Sequence, residues 1–403
     1  MDITIDKHWL DVAEFLNRTG IMPTLVVAPD LFDALMPGIV PYGKHPAEVQ
    51  SLQAIVVHKG MMPAIGDRLL AHTLCMGAPV FANEVFVVYR LIEAPWRHHV
   101  TTLAETVTMP DSQPAMMAQR YARSLSPTDL ADLTQRAQNE VTIRQSCTAV
   151  TLTVDTALCR VLSKYKMYVD ITDIGITPHL LLDGFWEMWI TQYIAAQVRP
   201  GMRVVDIGAN VGYYTLLMAD LVTDNGQVVA FEPNLRLQSL LRQSININGY
   251  ANRVHLRGEA VAGRSGCELT FAIPRTDPKN GHLVTDAKND FDPQHYRLET
   301  VLTITLDDAD LGRIDFIKID AEGAESAIWT GMQRTIAANP EMTVLLEFKA
   351  NRWPEWPAFL DDLNRLGFAL RHVDFDGQIK PLTAGQITAE RYDEDWMLVL
   401  RRS

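Results

Sequence analysis

The stretch VVDIGANVGYYTLL, Val204 to Leu217, packs an apolar run, a carboxylate, two glycines and a helix-like tail into one short segment. Val204–Ile207 reads as a strand buried on both faces, and the residues from Tyr213 onward read as a helix. In a doubly wound α/β fold, ligands bind outside the carboxyl ends of the strands, at the switch point between the two halves. Asp206 ends the strand at that place. Gly208 and Gly212 let the backbone come close to a ligand and start a helix with no Cβ in the way. The next strand, in NGQVVAFEP, ends in Glu232, where an acid accepts two hydrogen bonds from ribose hydroxyls. An adenosine-type nucleoside is therefore expected. A dinucleotide would need G-x-G-x-x-G, because its pyrophosphate sits on the helix N-terminus. Here the spacing is D-x-G-A-N-x-G, and a carboxylate just before the loop repels pyrophosphate. It suits a ligand with an ammonium and a sulfonium, and S-adenosylmethionine has both.

Outward from this segment the pattern alternates. NLRLQSLLRQSININGY is a helix closed near Gly249, RVHLRGEAV a third strand, and IDFIKID a fourth strand. AEGAESAIWTGMQRTIAANP follows as its helix, and TVLLEF is a fifth strand. Such alternation implies a doubly wound, mostly parallel sheet. The late strands FALRHVDF and WMLVLRR can close it as an antiparallel edge. Upstream, TLVVAPD (Thr24–Asp30), AIVVHKG (Ala54–Gly60) and VFVVYRL (Val85–Leu91) are apolar runs ended by Gly, Pro or charge, as in strands buried on both faces. They predict a smaller N-terminal α/β domain over 1–125. SLSPTDLADLTQRAQNEV, with Ser126 as N-cap and Pro127 at the first helical position, predicts a connecting helix over 126–150. The second domain then occupies 151–403.

The chain has 403 residues, enough for two or three domains, and 47% of them are hydrophobic, which supplies a real core. Its formal net charge of −13 gives no general basic surface for nucleic acid or anionic lipid. A small-molecule or neutral glycan partner is expected instead. Cys75, Cys147, Cys159 and Cys267 are widely spaced and form no CxxC pair, so free thiols in a reducing compartment are expected rather than a disulfide framework or a zinc knuckle. The N-terminal MDITIDKHWLDVAEFL lacks a basic region before an apolar run, and no run of eighteen apolar residues occurs. A cytoplasmic protein with no transmembrane segment is the expectation.

VVDIGANVGYYT, VVAFEPN, LTITLDDADLGRIDFIKIDAEGAE and the closing VLLEF, with DGFWE (Asp183–Glu187) upstream, resemble the FkbM-type S-adenosylmethionine-dependent methyltransferases over about 150–403. The resemblance implies a class I (Rossmann-like) methyltransferase fold and S-adenosyl-L-methionine as cofactor. It also implies methylation of a hydroxyl on a sugar, a glycolipid or polysaccharide precursor, or a related natural product. Carried over by position, Asp206, Gly208, Asn210 and Gly212 would cradle the methionine end of the cofactor. Glu232 would take the ribose, and Glu259 in GEAV would lie near the adenine.

Methyl transfer from a sulfonium is a displacement: the enzyme aligns the acceptor oxygen and removes its proton. Asp320, at the end of the fourth strand, is a candidate base, as are Glu347 in LLEF and His282 in KNGHLVTD. Lys318 shares the strand parity of Asp320 and can point the same way. Asp320, Glu322 and Glu347 could also hold a hard divalent cation, although no metal is assigned. Glu322 and Glu325 read equally well as first-turn acids that complement a helix dipole. The polar stretch 274–294 reads as an acceptor-binding loop or lid. The N/D-P-P-Y/F motif of base-methylating relatives is replaced by DAEG, which argues against a nucleic-acid substrate. His58-Lys59 and His98-His99 read as surface or satisfied positions. The first domain shows no motif readable as a site, and holding the acceptor's far end and homo-oligomerisation are both open to it. Two competing readings remain. A nicotinamide-dependent oxidoreductase would bind NADH in the same cleft, and a non-catalytic scaffold would bind S-adenosylmethionine without turnover.

Overall fold

The computed structural model describes residues 5–42, 52–91, 124–275, 277–284, 291–353, 355–389 and 395–402, so His98-His99 lie outside the described residues. Two compact units emerge: Met1–Arg123, Arg144–Arg160 and Asp170–Gly184 form one, and Ser124–Ile143, Val161–Val169 and Phe185–Ser403 the other. The stretch expected as a connecting helix is thus divided between them. Ser126 and Asp129 form a capping box on the helix Pro127–Ala131. The helix then breaks where the Asp132 side chain caps a new turn by accepting from the Thr134 N–H, and a second helix runs over Arg136–Ser146.

In the first unit, β1 (Val26–Ala28), β2 (Val40–Pro41), β3 (Ala54–His58), β4 (Gly77–Ala82) and β5 (Phe86–Leu91) form a sheet in the order β2-β1-β3-β5-β4. The three expected strands are β1, β3 and β5. β1 pairs in parallel with β2 and β3, and β5 pairs antiparallel with β3 and β4. Both faces are covered, which is why the strands are apolar without alternation. Val56, Phe86 and Val88 pack with Trp9, Val12 and Leu16 of the helix Lys7–Thr19. Ile55, Val57 and Tyr89 pack on the other side with Ile65, Leu69 and Ile174. β6 (Ala149–Thr151) pairs antiparallel with β7 (Thr156–Val161).

In the second unit, β8 (Tyr165–Asp170) precedes β9 (Arg203–Ile207), β10 (Gln227–Phe231) and β11 (Val254–Arg257). A smaller sheet contains β12 (Ala260–Val261), β13 (Glu268–Pro274), β14 (His282–Leu283) and β15 (Tyr296–Ile304). β16 (Phe316–Ile319), β17 (Thr343–Phe348), β18 (Phe368–Val373), β19 (Ile379–Pro381) and β20 (Trp396–Arg402) complete the chain. The large sheet has the order β11-β10-β9-β16-β17-β20-β18-β19. It is parallel from β11 to β17; β20 then inserts antiparallel between β17 and β18. The sheet is doubly wound and Rossmann-like, and the strand order reverses between β9 and β16, where such sheets bind ligands.

Three expectations need correction. RVHLRGEAV is not one strand: Val254–Arg257 joins the large sheet, while Ala260–Val261 pairs with β15 in the smaller sheet of order β12-β15-β13-β14. The stretch from Pro274 is also not a simple loop, because it closes a long β13–β15 hairpin. The helix expected after β16 is likewise two, Glu325–Thr330 and Gln333–Ala338. At the break, a Cβ on Gly331 would stand 2.5 Å from the Ala262 carbonyl oxygen, so the close approach needs glycine.

Of the cysteines, Cys147, Cys159 and Cys267 are free, and the Cys75 side chain lies outside the described residues. Among the described residues no helix is long and apolar enough to cross a membrane.

Candidate active site

The turn after β9 is built by close packing of the chain on itself. Gly208 has φ 76°, and a Cβ there would fall 1.7 Å from the Asp320 carbonyl oxygen. Gly212 has φ 94°, and its Cβ would fall 2.1 Å from Leu241 Cδ1, on the helix Leu235–Ile247. The first glycine therefore lets the β9 turn sit against the end of β16. The second lets the helix Tyr213–Val222 start against its neighbour. Gly212 thus serves helix packing.

Asn210 (φ 54°) turns its N–H onto Glu232 Oε2 at 2.7 Å, and the Asn234 N–H donates to Glu232 Oε1 at 2.8 Å. Each carboxylate oxygen keeps lone-pair capacity for a further donor, as a ribose diol would require. Burial, opposed by these two bonds, pushes the Glu232 carboxyl up to about 7. Asp206 is fully buried. Its Oδ2 accepts from the Thr215 hydroxyl at 2.6 Å, while among the described residues no hydrogen-bond partner reaches its Oδ1. Burial holds its carboxyl above the usual value, countered by Lys318. The acid–glycine–acid set therefore fits a nucleoside with a cationic tail. Glu259 is different: Arg257 grips it through two hydrogen bonds, holding its carboxyl below the usual value.

Across the switch point stands a second group. Lys318 Nζ is buried, 2.9 Å from Asp320 Oδ2, 3.9 Å from Asp206 Oδ1 and 5.1 Å from the centre of the Tyr214 ring. The shared parity of Lys318 and Asp320 thus produces a buried ion pair. Burial pushes Asp320 upward, but the Lys318 ammonium outweighs it and holds the carboxyl below its ordinary value. Glu347, hydrogen-bonded to Asp320, is pushed far above its usual value by burial and by the Asp320 charge.

The cation reading of Asp320, Glu322 and Glu347 does not fit this donor set. Lys318 already holds Asp320, and Arg352 Nη1 lies 3.1 Å from Glu322 Oε2. Among the described residues no group of His, Cys, Asp or Glu is arranged to hold a metal. Glu325 accepts from the N–H groups of Ala321 and Gly323 and so closes its own turn. His282 Nδ1 lies 3.1 Å from the Asn280 carbonyl and its ring 6.0 Å from that of Phe291. Both partners belong to its own segment, and no contact with Asp320 is present among the described residues.

Sequence reasoning missed two members of the group. The Lys279 charge is felt by Asp320, Glu187 and Glu322, so the β13–β14 connection bears on these carboxylates. Glu187 accepts from the Tyr214 hydroxyl at 2.8 Å and feels the charges of Asp320 and Lys318. The available signal was an acid directly before an apolar helix in DGFWE, with no polar partner in its own turn.

Residues 206–371 match the model of the methyltransferase FkbM domain. The chain is 31% identical over 94 residues to the ubiquinone/menaquinone biosynthesis C-methyltransferase of Shewanella frigidimarina, covering 23% of this chain and 34% of that protein. It is 38% identical over 58 residues to the protein-L-isoaspartate O-methyltransferase of Aeropyrum pernix, covering 14% and 22%. It thus spans about a third or less of the curated relatives it matches. Among solved structures, an rRNA methylase from Streptococcus thermophilus superimposes with TM-score 0.32 at 11% identity, over 52% of this chain and 92% of that one.

Proposed function

We propose, from the match of residues 206–371 to the FkbM methyltransferase domain, that the protein is an O-methyltransferase with S-adenosyl-L-methionine as its cofactor. Its acceptor in this reading is a hydroxyl of a sugar, a glycolipid or polysaccharide precursor, or a related natural product, and it works in the cytoplasm. The cofactor supplies an electrophilic methyl group on a sulfonium. The chain has to hold the cofactor, orient the acceptor oxygen and remove its proton. Asp206, Gly208, Asn210 and Glu232 would hold the methionine and ribose ends.

One observation carries the choice of a hydroxyl acceptor: Glu187, Asp320 and Glu347 meet around buried Lys318 with their proton affinities driven apart. Carboxyls tuned to different values are what proton removal from a hydroxyl requires. The same acidic wall disfavours a phosphate backbone as substrate. A methyl-transfer assay against sugars, lipid-linked saccharides and RNA, with the product linkage read by NMR, tests the proposal. An O-methyl ether on a saccharide is expected, and methylated RNA or a C- or N-methyl product would overturn it. Calorimetry should show micromolar binding of S-adenosylmethionine or its demethylated product, and clear binding of NAD alone would overturn the cofactor reading.

A further inference from the structure

Three non-glycine residues around the site lie in the left-handed backbone region: Glu187 at φ 36°, Asn210 at φ 54° and Glu322 at φ 49°. Such conformations cost on the order of 1–3 kcal/mol each and persist where the surroundings over-determine them. Asn210 gains a hydrogen bond from its backbone N–H to Glu232, and Glu322 pairs with Arg352. Glu187 is compensated through its side chain among the described residues, by the Tyr214 hydroxyl. It stands at the N-cap of the helix Met188–Gln197, yet its side chain caps nothing. The carboxylate instead engages the hydroxyl of Tyr214, whose ring lies 5.1 Å from Lys318 Nζ, and it feels the charges of Asp320 and Lys318. Its Oε2 is fixed by the Tyr214 hydroxyl, and no described residue bonds to its Oε1.

The other carboxyls of the group are committed. Asp320 Oδ2 is held by Lys318, Asp206 is fully buried on Thr215, and Glu347 is hydrogen-bonded to Asp320. We propose that Glu187 is the general base that takes the proton of the acceptor hydroxyl, an assignment that rests on the O-methyl reading above. In the step, the acceptor oxygen gives its proton to Glu187 Oε1 and its lone pair to the methyl carbon. The carbon–sulfur bond breaks with its electron pair left on sulfur, and the proton then passes from Glu187 to solvent. Tyr214 fixes the carboxylate so that one oxygen stays directed to the acceptor.

The charged and titratable neighbours support this role. Burial and the Asp320 charge raise the Glu187 carboxyl, while the Tyr214 hydrogen bond, Lys318 and Lys279 lower it, and the balance stands at about 7. Tyr213, a further titratable neighbour among the described residues, is itself raised by burial and feels the Glu187 charge. A base poised near the working pH removes protons most effectively.

Two measurements on the full-length protein test the proposal. The first is a carboxyl-labelled NMR titration without cofactor, in which the Glu187 signal is assigned by its loss in Glu187→Gln. A midpoint near 7 is expected, moving down in Asp320→Asn; a midpoint in the ordinary carboxylate range overturns the proposal. The second compares turnover and cofactor affinity. Glu187→Gln should cut turnover by roughly 10²–10⁴-fold, the range of a positioned base, and abolish the rise of rate with pH. Its S-adenosylmethionine affinity should be unchanged, and Glu187→Asp should recover part of the rate. Unchanged turnover overturns the proposal, as does cofactor affinity falling in step with turnover, which would make Glu187 a cofactor ligand. A wild type that methylates only carbon or nitrogen sinks the O-methyl reading itself, a result visible in the product linkage and independent of the titration midpoint.

Discussion

The two halves of the site handle buried charge in opposite ways. On the β9–β10 side each acid is met by hydrogen-bond donors from the β9 and β10 turns and the helix after β9: Glu232 by the N–H groups of Asn210 and Asn234, Asp206 by Thr215. On the β16–β17 side the carboxyls face one another around a lysine, and their partners lie far apart in the chain, from Glu187 to Glu347. The first arrangement fixes acceptor oxygens in place, as binding a neutral diol requires. The second separates proton affinities, as chemistry requires. Lys318 is where they meet, since it pairs with Asp206 and Asp320 together.

Removing that link should give the largest effect. Lys318→Met leaves two buried carboxylates without their cation and should cost about 3–5 kcal/mol of stability in chemical denaturation. A loss no larger than an exposed ion pair is worth, below about 1 kcal/mol, would show that the halves do not share the lysine. Next, Glu232→Ala should weaken S-adenosylmethionine binding by about 1.5–3 kcal/mol in calorimetry, the range for hydrogen bonds to a charged group. If Glu187→Gln weakens it as much, the division into a binding side and a chemical side is wrong.

Stability against pH sharpens the contrast further. Glu187 and Glu232 both rise from 4.5 to about 7 in the folded protein. Between those values the folded state holds protons that the unfolded chain has released. Stability of the cofactor-free protein should therefore fall as pH rises from about 4.5 to 7, by on the order of 2–3 kcal/mol for each of the two groups. Glu187→Gln and Glu232→Gln should each flatten the slope measured by denaturation at several pH values, and an unchanged slope in both would refute the raised carboxyls. The smallest effect should come from His282→Ala, within about 0.5 kcal/mol of wild-type stability and with near-normal turnover, because its contacts stay within its own segment. A large loss of turnover would restore His282 as a candidate base.

Legibility in the sequence follows the same division. Asp206, Gly208, Asn210 and Glu232 could be read because strand, turn and helix lie together, and period and punctuation mark strand ends. Glu187 could not, because its role depends on a hydrogen bond to Tyr214 and on charges at the end of β16. The β13–β15 hairpin was missed because much of β15 is only half-buried, with Leu298 and Leu302 exposed, so no clean apolar face announced it. The break at Gly331 was hidden for a related reason: its partner, the Ala262 carbonyl, comes from the distant turn after β12. The domain limits at 125 and 150 assumed one passage of the chain from the first unit to the second, whereas contacts return 144–160 and 170–184 to the first.

That return has a consequence in time. A chain emerging from the ribosome presents its N-terminal sheet early, but Ile174, which packs with Ile55 and Tyr89 on one face of that sheet, arrives some eighty residues after β5. By then Ser124–Ile143 and Val161–Val169, which belong to the second unit, have already been made and must wait for partners beyond Phe185. Neither unit can be finished in the order in which it is written, so their assembly overlaps during synthesis.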